Sequence, residues 1–383
     1  MRNNSYHDTF QRATTIHGTD YAVVQHNVAY RCMGHNYFTE DGDEDYVLFE
    51  HNLAVAPVAH ALLLSDDTDP AGFWLPGFGQ WHRHNLATNC VRGWRIQVHA
   101  GAGAASTDMT FFNNSAHACG FGWHLKPPHA PPTMNTFYSF TAFRCNVGMF
   151  YYGTGNIVHE DHRFVECNTG HFQNHLVPND IHTPPFFLDV YLVGNVEQNA
   201  TVTKVNSHGL RAPKDGAFWF VSGMTAINYF DQPVTFGCFK NICTMRYERS
   251  KFVNSEVYTF SSLGKTGIIH DIDGTMTGHA NAFITGFKEY LAFPDLCWNS
   301  SNHANGIVCG SDGSLRIRLL EVDKPNPWQL VATSLTVVTT AGADQIDYDT
   351  EEFYGWGIPV ITGQTYDLKV DVSNSWTSFQ LTY

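Results

Sequence analysis

Residues 27–53 have the sequence NVAYRCMGHNYFTEDGDEDYVLFEHNL, which begins and ends on the same short pattern, His-Asn followed by an apolar residue. Between the two copies, five carboxylates occupy the six positions from Glu40 to Asp45, next to the aromatic residues Tyr37 and Phe38. Gly42 interrupts the acidic run, and the pattern lacks helical periodicity. The stretch therefore predicts an acidic turn on the rim of a β structure, although taken alone it is also typical of a solvated loop.

A weak repeat extends from Thr14 to about Gln173. Each copy has two or three apolar or aromatic residues, then Asn and a small residue, and after a few positions Gly and an aromatic residue. The spacing of the Asn residues, about 22 to 33 positions, is the length of one coil of a parallel β-solenoid with loop insertions. The Asn residues at this position are Asn27, Asn52, Asn85, Asn114, Asn146 and Asn168. Stacked at one turn, they predict side-chain ladders between coils.

We predict an all-β fold, with a right-handed parallel β-helix over residues 1–325 and a small antiparallel β module over residues 326–383. The module is indicated by alternating strands separated by turns from about Val331 onward. High contents of Gly (32) and Phe (28), with only 15% charged residues, favour many short strands over charged amphipathic helices.

Charge and hydropathy exclude several classes of partner. The net charge of −14 argues against non-specific binding to nucleic acid or to an anionic membrane. The 21 His residues could titrate in a mildly acidic compartment and reverse much of that field. No apolar run approaches the roughly 20 residues that span a bilayer, so no membrane span is expected. The stretch from Met1 to Tyr30 is typical of a folded domain and predicts no signal peptide.

The nine cysteines predict one local disulfide and several buried thiols. Cys297 and Cys309 flank a Trp- and Asn-rich loop, which favours a disulfide between them. Cys238 and Cys243 are either a second pair or two thiols on one strand. The remaining cysteines, in apolar, strand-like contexts typical of buried free thiols, are Cys32, Cys90, Cys119, Cys145 and Cys167. Sequons for N-glycosylation, relevant only to a secreted chain, begin at Asn3, Asn113, Asn199 and Asn299.

Several motifs together resemble the β-helical region of the cell-surface hyaluronidase family, whose type of repeat fibrocystins share. They are HNVAY from His26, MGHNYFTEDGDED from Met33, FEHNLAV from Phe49, FWLPGF from Phe73, RGW from Arg92 and IIHDIDGTMTG from Ile268. The resemblance implies a parallel β-helix at the cell surface or outside the cell that acts on or binds a glycan, with hyaluronan as the family's substrate. Family members are longer, so we expect a fragment or a minimal member.

The candidate catalytic residues lie in the acidic turn. Hydrolysis of a glycosidic bond needs one carboxyl group as acid and a second as base or nucleophile. Adjacent strand residues point to opposite faces, so Glu40 with Asp41 and Glu40 with Asp43 or Glu44 are competing pairs. A lyase would instead need a base such as His35, with an Arg or a cation against the uronate carboxylate. The predicted catalytic set is His35, Glu40, Asp41, Asp43 and Glu44.

Further residues are predicted to contact substrate or metal. Hyaluronan is a polyanion and the chain is acidic, so binding needs a basic strip, protonated His or a bridging Ca²⁺. Asp271 and Asp273, before Gly274 on a tight turn, are the candidate Ca²⁺ ligands; a strand-ending turn is the alternative. The predicted substrate contacts are Arg31, Tyr37, His51, Trp74, Arg83, Trp94, Arg95 and His99. The function predicted is depolymerisation of a hyaluronan-type polysaccharide; the alternatives are a non-catalytic glycan- or protein-binding β-helix and an inactive fragment.

Overall fold

The structure is a computed structural model. It describes residues 1–63, 65–77, 79–97, 109–125, 134–151, 157–173, 186–194, 208–211, 218–229, 232–236, 243–255, 259–260, 267–285, 296–299, 307–310, 315–322, 333–339, 345–350, 355–361, 366–372 and 379–382. Strands dominate this part of the chain. Its single described helix is a 3₁₀ turn over Ser65–Thr68, and no described helix is long and apolar enough to cross a membrane.

Most strands belong to three parallel ladders that form three faces of a β-solenoid. The first face contains β1 (Ser5–His7), β4 (Val28–Tyr30), β7 (Leu53–Val55), β10 (Leu86–Thr88), the end of β12 (Thr110–His117), the end of β14 (Asn135–Phe143), β17 (Arg163–Val165), β20 (Tyr191–Val193), β23 (Thr225–Ile227) and β26 (Lys251–Val253). The second face is a ten-stranded sheet of β2 (Thr14–Ile16), β5 (Tyr37–Thr39), β8 (Ala71–Leu75), β11 (Arg92–Ile96), β13 (Phe121–Leu125), β15 (Val147–Tyr151), β18 (Thr169–Gln173), β21 (His208–Arg211), β24 (Gln232–Phe236) and β27 (Thr259–Phe260). The third face contains β3 (Val23–Gln25), β6 (Val47–Glu50), β9 (Gln80–Arg83), the beginnings of β12 and β14, β16 (Ile157–Glu160), β19 (Phe186–Leu188), β22 (Phe218–Ser222), β25 (Cys243–Glu248) and β28 (Gly267–Asp271). The predicted parallel β-helix is confirmed.

Small residues from the first and second faces and large rings from the second and third faces together fill the interior. Small residues of the first face, such as Ala87 and Ala116, pack against glycines of the second face, such as Gly93 and Gly122. A β-carbon on Gly122 would lie 2.5 Å from the carbonyl oxygen of Gly148, so this column tolerates no side chain. The remaining space is filled by stacked rings from the second and third faces, including Tyr37, Phe73, Trp94, Phe49 and His82.

An Asn ladder closes the corner between the third and the first face. The side-chain oxygen of Asn85 accepts hydrogen bonds from the backbone N–H (2.9 Å) and the side-chain amide (3.1 Å) of Asn52. The same two bonds run from Asn27 to Asn52 and from Asn85 to Asn114. These four Asn side chains are buried, and their predicted ladder is confirmed.

The other two Asn residues of the predicted repeat lie elsewhere. Asn146 and Asn168 occupy the corner between the first and the second face, where they are exposed and the side-chain amide of Asn168 donates a hydrogen bond to the side-chain oxygen of Asn146, at 2.9 Å. The buried ladder position of those coils holds Phe140 and His162 instead. The two corners have similar local sequences, which explains the wrong alignment.

The strand pattern becomes antiparallel after β28. This strand pairs with β29 (Ala282–Thr285), which continues to β31 (Ile307–Cys309) and β30 (Cys297–Asn299). The predicted disulfide between Cys297 and Cys309 is formed there. The possible pair of Cys238 with Cys243 lies outside the described residues, because Cys238 is not among them.

Two three-stranded antiparallel sheets form the C-terminal module. One contains β32 (Leu315–Val322), β35 (Gly355–Ile361) and β37 (Phe379–Thr382), and the other contains β33 (Thr333–Thr339), β34 (Gln345–Thr350) and β36 (Tyr366–Val372). The antiparallel module is as predicted. The boundary between residues 325 and 326 stays a prediction; β32 lies on its N-terminal side.

Candidate functional site

The acidic turn after β5 is organised around a buried carboxylate. Glu44 is 1% exposed and accepts hydrogen bonds from the backbone N–H groups of Glu40 (3.1 Å), Asp41 (3.0 Å) and Gly42 (2.8 Å). Gly42 supplies the left-handed backbone (φ 85°) that the tight turn requires. Because its oxygens are occupied by the turn itself, Glu44 holds the other acidic residues in place. Glu40 and Asp41 remain half-exposed at the rim.

Both of these carboxylates point to one imidazole. Nδ1 of His17 lies 3.2 Å from Oε2 of Glu40 and 3.6 Å from Oδ2 of Asp41. His17 directly follows β2, and β2 pairs with β5 so that His17 stands beside Glu40 in the next coil. The hydrogen bond with Glu40, together with the charge of Asp41, raises the pKa of His17. The expectation that adjacent acidic residues point to opposite faces does not hold here, since both lie in the turn beyond the strand.

A partly buried ion pair supports this rim cluster of His17, Glu40 and Asp41. Nε of Arg12 lies 3.0 Å from both carboxylate oxygens of Asp67, and another guanidinium nitrogen lies 2.8 Å from Oδ2. Its third nitrogen lies 3.7 Å from Glu40, and the guanidinium covers the ring of Phe38 at 3.4 Å. Asp67, on the 3₁₀ turn, is 3% exposed. The pair therefore fixes one cation next to Glu40.

His35 lies beneath the rim. Its side chain is fully buried, and Nδ1 accepts a hydrogen bond from the backbone N–H of Ala71 at 2.9 Å. The ring packs against Phe38 and Trp74, with centroids 5.3 and 4.7 Å away. Burial lowers its pKa to about 3, although Asp67 opposes the shift. A buried, neutral ring that anchors the next coil has no access to a substrate, so the structure corrects the catalytic role predicted for His35.

A second group of cations lies further along the outside of the second face. Arg95 covers Trp74 at 4.5 Å and bonds Asp69 at 3.2 Å. Arg92 also pairs with Asp69, and its Nε lies 2.6 Å from Nδ1 of His124. Burial, followed by the charge of Arg95, lowers the pKa of Arg92 to about 10. Trp74 and Arg95 are each 1% exposed, so they support this surface from below.

The other predicted substrate contacts are dispersed. Tyr37 and Trp94 point into the solenoid core, where a polysaccharide cannot reach them. Arg31 pairs with Asp8 at 3.3 Å on the corner after the first face. Arg83 covers Trp81 on the third face. His99 lies outside the described residues.

His51 belongs to an external stack. Its ring lies between His26 and His84, with centroids 5.0 and 4.9 Å away. His26, His51 and His84 therefore form a ladder of stacked imidazoles on the outside of the corner.

Two acidic groups contain candidate ligands for Ca²⁺. The carboxylate oxygens of Asp271 accept hydrogen bonds from Gly274, Met276 and Thr277, and those of Asp273 accept hydrogen bonds from Arg249 and Thr275. Their calcium role stays a prediction without structural support.

Ligand atoms of Asp41, Asp43 and Glu44 lie within 4.8 Å of one another. Carboxylate oxygens are the ligands Ca²⁺ prefers, and Asp41 and Asp43 are exposed. Glu44 already accepts three amide hydrogen bonds, which limits what it offers a cation.

Sequence reasoning missed four residues of the site: Arg12, His17, Asp67 and Asp69. A register argument finds His17, because it follows one strand as Glu40 follows the next. Asp67 and Asp69 come from the insertion between β7 and β8, and local sequence gives no signal for their partners.

Comparison with known proteins shows what the first part of the chain is similar to. Residues 1–160 match the family model described as CEMIP beta-helix. Human fibrocystin-L is 25% identical over 401 residues, covering 91% of this chain and 9% of that protein's length. The cell migration-inducing and hyaluronan-binding protein of Homo sapiens is 39% identical over 66 residues, covering 17% of this chain and 5% of that protein. The cell surface hyaluronidase of Danio rerio is 35% identical over 65 residues, again 17% of this chain and 5% of that protein.

The chain thus spans a small fraction of each of these relatives. Residues 1–160, which contain the Asn ladder and the first parallel coils, are thus similar to the CEMIP beta-helix family.

Proposed function

We propose that the rim cluster hydrolyses a hyaluronan-type polysaccharide outside the cell. The observation that supports this is the convergence of two half-exposed carboxylates, Glu40 and Asp41, on one nitrogen of His17. Their oxygens consequently lie within about 7 Å of each other, a separation compatible with the paired carboxyl groups of glycoside hydrolases. The relatives named for hyaluronan binding and hyaluronidase activity indicate the class of substrate.

Each group has a role in this proposal. Glu40, in contact with His17, delivers a proton to the leaving glycosidic oxygen, and Asp41 acts as base or nucleophile. His17, with its raised pKa, holds a proton at the rim. Arg12 and protonated His17 supply the local positive charge that a polyanion needs on a chain of net charge −14. Ca²⁺ at Asp41 and Asp43 is proposed as an additional bridge to the uronate carboxylate.

The test compares the wild type with Glu40→Gln and Asp41→Asn. Each variant is incubated with hyaluronan and with a neutral glucan, in Ca²⁺ or EDTA, and products are sized by chromatography. We expect hyaluronan fragments from the wild type and a loss of at least about 100-fold in either variant, the scale of one general acid–base residue. Asp161→Asn is the matched control, because Asp161 pairs with Arg163 at a distant corner. Equal activity in all four proteins would exclude this rim, and ultraviolet-absorbing unsaturated ends would indicate a lyase.

A non-catalytic glycan-binding module is the second candidate. It is favoured by the match to fibrocystin-L, which covers 91% of this chain and whose name carries no enzymatic term. If the folded protein is retained on immobilised hyaluronan and releases no fragments, this alternative is supported and the hydrolase proposal is refuted.

A further inference from the structure

Four cysteines occupy the same position in four successive coils. Cys90, Cys119, Cys145 and Cys167 each lie two residues beyond a strand of the first face. Strand register places each one directly beside the next. All four are free thiols and are 2–3% exposed. They form a cysteine column inside the corner between the first and second faces. This corner lies where the strands of the second face begin, whereas the rim cluster lies where those strands end.

The column is regular in detail. Sγ of Cys119 lies 3.3 Å from the carbonyl oxygen of His117 and 3.8 Å from that of Ala87 in the preceding coil. The other three cysteines make the same two kinds of contact, at 3.3 to 3.9 Å. The backbone thus holds every thiol in one orientation. Cys119 interacts with both Cys90 and Cys145, and Cys145 interacts with Cys167.

This spacing does not suit a disulfide. In-register neighbours of parallel strands keep their β-carbons about 4.8 Å apart. A disulfide needs about 3.5 to 4.5 Å between these atoms, so the coils would have to move together. The structure contains the free thiols and no bond between them.

The spacing suits a two-coordinate metal ion. With a metal–sulfur distance of about 2.3 Å, as for zinc thiolates, an ion between two sulfurs spans about 4.6 Å. Thiolates select soft ions such as Cu(I). Tetrahedral zinc is disfavoured, because within the described residues only Asp41, Asp43 and Glu44 bring three or more ligand atoms together. The column therefore provides two sulfur ligands from successive coils for each ion, the number that a two-coordinate ion requires.

We propose that the pairs Cys90–Cys119 and Cys145–Cys167 each bind one Cu(I) or a similar soft, two-coordinate cation. Each Cu(I) displaces two thiol protons and forms a bis-thiolate complex of charge −1, with no change of oxidation state. This site is independent of the rim cluster and of the proposed hydrolysis.

The chain contains its own control. Cys32 occupies the same column two coils earlier, but Pro57 stands between it and Cys90. Cys32 therefore has no neighbouring thiol in the column. Removing it should leave the binding of the soft cation intact, whereas removing a member of either pair should abolish one ion.

The test is a titration of the reduced full-length chain with Cu(I), supplied as its bicinchoninate complex. We expect Cys119→Ser to bind one ion fewer than the wild type, and Cys119→Ser/Cys145→Ser to bind two fewer. Cys32→Ser should bind as much as the wild type. Cys238 and Cys243 are present in every protein, so the differences report the column. Circular dichroism establishes that each variant is folded.

Three outcomes would overturn the proposal. One is equal Cu(I) binding by the wild type and the folded double variant. Another is a loss in Cys32→Ser as large as in Cys119→Ser. The third is a mass decrease showing that the column oxidises to disulfides and retains no copper. If the double variant does not fold, Cys90→Ser and Cys167→Ser, each removing the outer member of one pair, must each lose one ion.

Discussion

Acid should unfold this protein well before its carboxylates are protonated. Three buried imidazoles carry the effect: His35, His82 and His162 each have a pKa lowered by burial from 6.5 to about 3. His82 stacks on Phe49 in the core, and His162 accepts a hydrogen bond from the backbone N–H of Phe140. All three rings stay neutral in the folded chain at pH 5, whereas the unfolded chain protonates them.

The sign and size follow from proton linkage. Between pH 3 and 6.5 the unfolded state binds more protons, so stability is fully present above pH 6.5 and falls as the pH decreases. At pH 5 the loss of folding free energy depends only on the unfolded-state pKa of 6.5, because the rings in the folded state titrate near pH 3. Each ring contributes about 2 kcal/mol, and the three together about 6 kcal/mol. That is comparable with the total stability of a typical domain, about 5–15 kcal/mol.

Urea unfolding followed by tryptophan fluorescence, at pH 7.5 and pH 5, measures this difference. His82→Phe, which suits a position between stacked rings, should reduce the gap in unfolding free energy by about 2 kcal/mol. His26→Gln, which replaces an exposed imidazole, is the control and should leave the gap unchanged. Equal stability at the two pH values, or an unchanged gap in His82→Phe, would refute the reasoning. Confirmation would make neutral pH the proper condition for the hydrolysis assay.

Two further predictions concern the coil construction. Asn85→Ala should cost about 2–4 kcal/mol, because two buried donors of Asn52 lose their acceptor, whereas Asn146→Ala, at an exposed corner, should cost less than about 1 kcal/mol. Equal costs in urea unfolding would contradict the ladder. Gly122→Ala should destabilise the chain by about 2–3 kcal/mol, because its β-carbon would meet the carbonyl of Gly148 at 2.5 Å; an unchanged urea midpoint would contradict this.

The fold was largely predictable because successive coils of the solenoid require the same residue type at the same position. A buried Asn with two partners per coil tolerates few replacements, so its recurrence was visible in Asn27, Asn52, Asn85 and Asn114. The assignment failed at Asn146 and Asn168, where a similar local sequence turns a different corner. Distinguishing the corners requires the lengths of the intervening strands, which the short apolar runs do not define.

The site was predictable only in part, because its burial is decided by distant residues. Glu40 and Asp41 lie at the rim as expected. His35 looks equally suited to catalysis in the sequence, but Asp67 and Trp74 from the following coil enclose it. Glu44 is buried, and its carboxylate accepts hydrogen bonds from the backbone of its own turn, so it does not face a substrate. The convergence of His17 on the acidic pair depends on the register of β2 and β5, which no local pattern encodes.

The match to the family model ends at residue 160 although the parallel coils continue, and the construction of the coils gives a physical reason for this. The parallel ladders continue to β28, far beyond residue 160, where the family model ends. The position that holds Asn in the early coils later holds Phe140, His162, Val190 and Met224. A hydrogen-bonding ladder fixes the residue type, whereas an apolar interior fixes only volume, so identity can fade while the fold persists. Specific chemistry is then best sought where residue identity is constrained, and the rim cluster lies in those first coils.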